Sequence, residues 1–492
     1  MEKLAPSALF LGVVLAIVLF LRTILHRTRK YKLPPGPLPW PVIGNLNLIG
    51  PLPHHSLHQL SARYGPLMSL RFGSVPVVVG SSVDAARLIL KTHDLDFIDR
   101  PTTAAGKYTS YNNSSMLWST YGDYWRQARR LWQTELLSAK QLKLHERARG
   151  EEVSAMLRDL HHATTSASTV ALSEHLMMAS LNVISRMVLG RKYVGKGSAG
   201  AELATPEEFG WMMDELFFLN GAVNVGDVIP WLDWLDPQGY VKRMKRVSKA
   251  LDAFLEKVLD EHDERRRREG EAFVARDMVD KLLQLADDPS LKVPIKRHGV
   301  KAFTLELFAA GTDTSAATVE WAMSELVKKP EVLARATEEL DRVVGRSRLV
   351  TEGDIPNLPA ARTRPWAATT YRPGTRVLIN VMAICRDPEV WEAPTEFRPE
   401  RFVGSSVDVR GQDLELLPFG SGRRMCPGHS LGLKMVQVTL ANLLHAFEWR
   451  LPDGVAADEL SMEENFRMNV LRKVPLEAVA EPKLPAHLYL GP

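Results

Sequence analysis

The sequence predicts a mainly α-helical domain with a small β-sheet, preceded by a single N-terminal transmembrane helix. Three observations carry that prediction. Residues 140–300 read as successive amphipathic helices and 300–326 as one long apolar helix. Short β-type runs cluster between residues 56 and 87. Residues 4–25 are nearly all apolar, with Ser7, Arg22 and Thr23 as the polar interruptions. A chain of 492 residues that is 45% hydrophobic and 24% charged can bury a sizeable core. No Pro/Ser/Gly-rich linker divides it after the first fifty residues, so one large domain is expected over 46–492. The net charge of +4 is too small to argue for nucleic acid. Two cysteines, Cys385 and Cys426, are too few for a disulfide framework and fit a reducing compartment.

The leader, residues 1–30, has an apolar run about as long as a bilayer core requires, and Arg22 can snorkel at its end. A cleaved signal peptide would carry basic residues before a shorter run. Here the cluster His26, Arg27, Arg29 and Lys30 follows it, which predicts a retained anchor in the lipid bilayer with the C-terminal side in the cytosol. Residues 31–45 contain Pro34, Pro35, Pro37, Pro39 and Pro41. Prolines fix φ and exclude helix, so a stiff extended hinge is expected; a ligand for a proline-reading domain is the rival reading.

Runs 67–72 and 75–79 supply the small sheet. Residues 124–130 are helical, and Trp125 and Arg129, four apart, share a face. An indole N–H beside a guanidinium suits a carboxylate, although an amphipathic helix often carries such a pair without a ligand. Phe217, Phe218 and the proline-broken stretch 228–235 interrupt the helices, as a pocket roof or as an inter-helix patch. Residues 264–269, Glu-Arg-Arg-Arg-Arg-Glu, read as a solvated face. The long helix has Ala309-Ala310-Gly311-Thr312-Asp313-Thr314-Ser315 at its middle, where small and polar residues compete with the backbone. Such a violation marks either a functional site or a kink whose hydroxyls bond back to the preceding turn.

The most informative stretch is Pro418-Phe419-Gly420-Ser421-Gly422-Arg423-Arg424-Met425-Cys426-Pro427-Gly428-His429. It sets a lone cysteine in a glycine-rich, basic loop before an apolar helical pattern. Glycines let backbone approach a flat cofactor. Nearby N–H groups, Arg423, Arg424 and the helix N-terminus would favour a thiolate for a metal. A buried free cysteine is the plain alternative. The spacing Phe-x-x-Gly-x-Arg-x-Cys-x-Gly should arise by chance with odds on the order of 10^-4 in a chain this long.

This loop resembles the haem-thiolate signature of cytochromes P450, and the resemblance extends over nearly the whole chain. It is nearest to plant microsomal members, the group that includes flavonoid 3'-hydroxylase-like enzymes. The resemblance implies a P450 fold and a haem-thiolate monooxygenase that inserts one atom of O2 into a small lipophilic metabolite, phenolic or terpenoid. It implies haem b with Cys426 as axial ligand, Phe419, Gly422 and Gly428 binding the cofactor from the same loop, and Trp125, Arg129 and Arg424 on the propionates. Residues 309–315 match the oxygen-activation motif, so Thr314 would steady a proton-delivering water, Asp313 would help relay protons, and Gly311 would leave room for oxygen. Electrons would come from an NADPH-cytochrome P450 reductase at the endoplasmic reticulum membrane, because no dinucleotide-binding glycine loop or flavin module is visible. The roof around 217–235 would dip into the membrane surface. Tyr108, Phe217, Phe303 and Met468 are candidate pocket residues.

One segment departs from the family. P450s carry Glu-x-x-Arg on a helix after the position of Leu358, yet no glutamate lies between Glu352 and Glu389. Glu339-x-x-Arg342 fits the letters but belongs to the preceding helix. Segment 359–376 is aberrant and roughly two dozen residues short, about one helix, one strand and their turns. Arg401, in the motif that normally meets that pair, is expected to lack partners, a buried-charge cost of roughly 3–5 kcal/mol. Residues 365–371 can be back-translated so that a one-base shift restores a family-like Val-Gly-Gly-Tyr-Asp-Val. Re-reading the transcript across codons 358–376 tests this hypothesis; a clean copy in the present frame rules out an annotation error. Two rival readings follow: a non-enzymatic remnant unable to hold haem, and a haem-dependent isomerase or dehydratase that needs no O2.

Overall fold

The computed structural model describes residues 33–166, 169–194, 203–355 and 374–490. The apolar run 4–25 and nearly all of segment 359–376 lie outside them. Among the described residues no helix is long and apolar enough to cross a membrane. The chain is mainly helical with small sheets, divided into two compact units.

The smaller unit takes in the described residues up to Phe97 and those within 364–395 and 413–418. Its sheet is β1 (Leu67–Phe72), β2 (Val75–Gly80) and β3 (Arg376–Ile379), and helix α1 (Pro53–Tyr64) starts on a proline in its first turn. In β1, Met68, Leu70 and Phe72 are buried and alternate with half-buried residues, as the period of two dictates. β1 and β2 pair antiparallel with Leu67 opposite Gly80, and β2 pairs parallel to β3 with Val77 opposite Arg376. Both predicted strand runs are therefore present. The described part of the proline stretch is tied to β1, and it turns at Pro41, Val42 and Ile43. Ser69 donates from N to the Pro35 carbonyl (2.8 Å) and from Oγ to the Pro34 carbonyl (2.7 Å). A Cβ on Gly36 would collide with the Ser69 carbonyl, so only glycine fits there.

The larger unit is helical. Its principal helices are α2 (Ala104–Thr109), α3 (Asp123–Leu131), α4 (Glu146–Ser166), α5 (Leu172–Leu189), α6 (Pro206–Gly221), α7 (Tyr240–Glu269), α8 (Arg297–Val327), α9 (Pro330–Val344) and α10 (His429–Ala446). α6 opens with a capping box, Thr205 and Glu208 each accepting the other's backbone N–H. α8 serves two hydrophobic clusters. Val300, Phe303 and Leu307 pack with Leu181, Ile184 and Val188 of α5. Val319, Met323 and Leu326 pack with Leu443 and Leu444 of α10. A helix shared by two cores must be apolar all round, which is how its sequence reads. Near the start of α8 charges take over: Arg297 lies 2.6 Å from each of Glu256, Asp260 and Asp263 on α7, and Lys301 lies 2.6 Å from Asp252.

The end of α7 corrects the expectation of a wholly solvated face. Arg265 pairs with the buried Asp277 and Asp280, and Arg266 lies 2.6 Å from Asp287. Glu264, Arg267 and Arg268 remain exposed. A run of like charges hides the fact that every fourth residue turns toward the next helix. Near the C-terminus, the strand hairpin Glu464–Phe466 with Val470–Arg472 presents Met468 and Asn469 at its turn.

Candidate functional site

Cys426 is a free, half-buried cysteine held by its own loop: its N–H donates to the Phe419 carbonyl at 2.9 Å. The loop can close because Gly420 and Gly422 adopt left-handed φ values of 68° and 70°. Gly428 is the N-cap of α10, and its N–H bonds the Cys426 sulfur. Phe419 packs edge-on against His429, with ring centroids 6.2 Å apart. Burial pushes the Cys426 thiol up, against the lowering by the Gly428 N–H and by Arg129. Arg129 is thus a cation that acts on the sulfur, one the expectation had not named beside Arg423 and Arg424. Arg423 is exposed, and Arg424 is committed elsewhere.

Arg424 donates from Nε to the Ile98 carbonyl (2.9 Å), from Nη1 to that of Met116 (3.0 Å) and from Nη2 to that of Ser119 (2.8 Å). Its guanidinium stacks 4.6 Å over the Trp125 ring. Burial, with Arg100 adding to it, lowers its pKa to about 10. Arg129 donates to the Met425 carbonyl at 2.5 Å, which ties α3 to the cysteine loop. The buried Trp125 has no hydrogen-bond partner on its Nε1, and neither has the Arg100 Nε. Unpaired buried donors are costly, and two beside a third guanidinium make a site for an anionic group. These residues fit the carboxylate-bearing haem that the cysteine loop implies. Arg100 was missed by the sequence reading; its only local signal is an arginine preceding Pro101.

α8 carries the predicted oxygen-activation residues past a cavity of about 230 Å³. Thr314 lines it, together with Leu216, Phe217, Leu305, Ala309 and Met468. The Thr314 hydroxyl donates to the Ala310 carbonyl at 2.8 Å, and Thr312 does the same to Phe308, so the back-bonding reading describes both hydroxyls. Asp313 is buried away from the cavity wall and accepts from Asn469 Nδ2 at 2.6 Å; Asn469 does line the cavity. Burial raises the Asp313 carboxyl. Gly311 corrects another expectation. A Cβ there would strike Ile184 of α5, so this glycine serves helix–helix contact.

Of the pocket candidates, Phe217 and Met468 line the cavity. Phe303 does not; it is buried between Tyr124 (6.0 Å) and Trp132 (6.3 Å). Tyr108 faces Lys107 and Lys245 instead. Trp231 and Trp234 are 63% and 80% exposed. Glu339 and Arg342 are both exposed on α9, consistent with chance letters. Arg401 is half-buried and donates to the Glu396 carbonyl at 3.0 Å, so the expected orphaned charge is not found.

The family model for cytochrome P450 matches residues 34–363 and 370–477. Trimethyltridecatetraene synthase of Zea mays is 47% identical, covering 98% of this chain and 95% of that protein. Flavonoid 3'-monooxygenase of Arabidopsis thaliana is 39% identical over 98% and 99%. Among solved structures, a zebra fish cytochrome P450 with abiraterone shares the fold at TM-score 0.70 and 24% identity, covering 88% of this chain and 100% of that one. The family match breaks across residues 364–369, inside the aberrant segment. The Zea mays alignment spans 531 positions against 492 residues here, so that relative carries residues this chain lacks.

Proposed function

The chain belongs to the cytochrome P450 family, and from that premise we propose a haem-thiolate monooxygenase acting on a small lipophilic plant metabolite, an acyclic terpenoid in preference to a flavonoid. Cys426 would be the axial ligand of haem b, with Trp125, Arg129 and Arg100 placed for its carboxylates and Arg424 bracing the loop. Bound there, haem supplies oxygen activation, which a thiolate ligand promotes by favouring O–O cleavage. The chain's own residues do the rest. Arg129 keeps positive charge beside the sulfur. Thr314 places a hydroxyl on the cavity wall, where its oxygen can hold a water. Asp313, whose carboxyl is raised by burial, accepts from Asn469 Nδ2 and so fixes that side chain on the cavity wall, where it could help relay protons.

The observation that carries the substrate class is the cavity wall. Three of its polar residues, Thr109, Asn220 and Trp118, are bonded to one another: Asn220 accepts from Trp118 Nε1 (3.1 Å) and donates to Thr109 (3.1 Å). Asn469 keeps an unpartnered Oδ1 on the wall, but most of the lining is apolar (Leu117, Leu216, Phe217, Leu305, Ala309 and Met468), which suits a branched hydrocarbon chain that needs only shape and apolar contact. A relative named for a branched tetraene, at 47% identity, supports the same choice. Electrons would come from an NADPH-cytochrome P450 reductase. The apolar leader and the exposed Trp231 and Trp234 support attachment to the endoplasmic reticulum membrane.

One observation favours a second reading, a chain that has lost haem: the broken match at 364–369, where the family's Glu-x-x-Arg helix is missing. The full chain, expressed in membranes with reductase and NADPH, separates the two. A reduced, carbon-monoxide-bound Soret band at the thiolate position, with oxidation of an acyclic terpenoid and none of a flavonoid, is expected. No haem, or a band at the non-thiolate position, overturns the first reading in favour of the second.

A further inference from the structure

Glu306 stands on α8 two turns before Thr314, and residues 306, 310 and 314 share one face along the cavity. Among the described residues it is the one charged side chain lining that cavity, and the function proposed above assigns it no role. Both its oxygens are taken: Oε2 accepts the Met116 N–H and Oε1 accepts the Leu117 N–H, each at 2.7 Å. When the group is ionised, as it is above about pH 7, such paired N–H bonds to a carboxylate are charge-assisted and stronger than neutral ones.

The segment they grip needs holding. Tyr111, Asn112 and Asn113 have φ values of 49°, 56° and 61°, three consecutive non-glycine residues in the left-handed region. Asparagine tolerates that region, but a tyrosine there is costly, and such conformations persist only where the surroundings enforce them. The surroundings are visible. Tyr111 donates to Asp252 (2.9 Å), Trp118 donates to Asn220, and Arg424 takes the Met116 and Ser119 carbonyls. Glu306 is the member of this set that comes from the helix bearing Thr314. The same segment gives the cavity Ser110, Ser115, Leu117 and Trp118.

We propose that Glu306 is a positioning residue: by clamping the Met116 and Leu117 N–H groups it holds the strained wall 110–119 at a fixed distance from Thr314 and thereby sets which lipophilic molecule fits. It is not itself a ligand for substrate. This rests on the reading of the cavity as the substrate site.

Hydrogen–deuterium exchange on the full chain tests the clamp without needing haem or substrate. In Glu306→Gln an amide N–H2 must face one of the two backbone donors. Exchange in residues 110–119 should then quicken about tenfold, the factor that one lost charge-assisted bond represents, with α10 unchanged as control. Glu306→Asp, too short to reach both donors, should act in the same direction and guards against a glutamine variant that fails to fold. Unchanged exchange in 110–119, or equal quickening in α10, overturns the proposal. In membranes that show the thiolate Soret band, the spectral dissociation constant for an acyclic terpenoid should rise in both variants. A local opening that leaves it unchanged also overturns the positioning role. If the wild-type chain shows no such band, the monooxygenase reading fails while the exchange result still decides the clamp.

Discussion

A thiol serves a metal only as far as it ionises, and at Cys426 the Gly428 N–H and Arg129 oppose the cost of burial. Replacing Cys426 with alanine should abolish the thiolate Soret band of the reduced, carbon-monoxide-bound chain. Cys385→Ala should leave it intact, since that half-buried sulfur accepts the Leu417 N–H at 3.4 Å within the other unit. Glu306 permits a second prediction at this scale. Burial raises its carboxyl from 4.5 to about 7, with Arg424 lowering it slightly; Tyr124 and Cys426 are the other titratable groups that sense it. Between those values the native state holds a proton that the unfolded chain has released. Its contribution to stability is therefore full below the unfolded value and is lost as pH rises through 7, by on the order of 2–3 kcal/mol. Glu306→Gln should flatten the decline in thermal midpoint between about pH 5.5 and 8, and an unaltered slope would refute the assignment. Cys426 was legible because neighbours at fixed spacing announce it. Glu306 was not, because its partners are backbone N–H groups 190 residues away. Its one signal was an acid inside the apolar run Phe303 to Phe308.

At the scale of elements, periodicity named the helices and strands but not what each face meets. Phe303 and Phe217 look alike in sequence; one is packed between Tyr124 and Trp132 and the other borders the cavity. Gly311 shows the same limit, since a small residue in a polar stretch reads equally as room for a ligand or for a neighbouring helix. Here the neighbour is Ile184 on α5. Gly311→Val should therefore destabilise the chain by about 1–3 kcal/mol through overpacking, measured by denaturant midpoint. A variant as stable as wild type would show that α5 and α8 are not in tight contact there. The charged end of α7 was misread for a related reason: a run of arginines gives no sign that Arg265 turns inward to Asp277 and Asp280.

For the whole molecule, the family was legible, because the cysteine loop, the motif at 309–315 and the helix with Trp125 and Arg129 lie far apart in sequence yet match one pattern. The missing segment was legible too, as a lapse in a pattern, and the family match breaks at the same place. Its effect on Arg401 was overestimated, because letters alone could not show that residue half-buried with a carbonyl partner. Inserting the Zea mays relative's intervening residues in place of 359–376 should raise haem content per chain, read as Soret absorbance over protein absorbance. An unchanged ratio would show that the short form already binds haem fully.

The tethering of the proline stretch to β1 has a practical side. Pro34 and Pro35 are the acceptors for Ser69, and Gly36 is wedged against the same residue. A shortened protein prepared for crystallography should accordingly start no later than Leu33. Trimming further, to the first helix, would strip β1 of its outer neighbour, bare a row of unsatisfied amides and invite sheet-to-sheet aggregation.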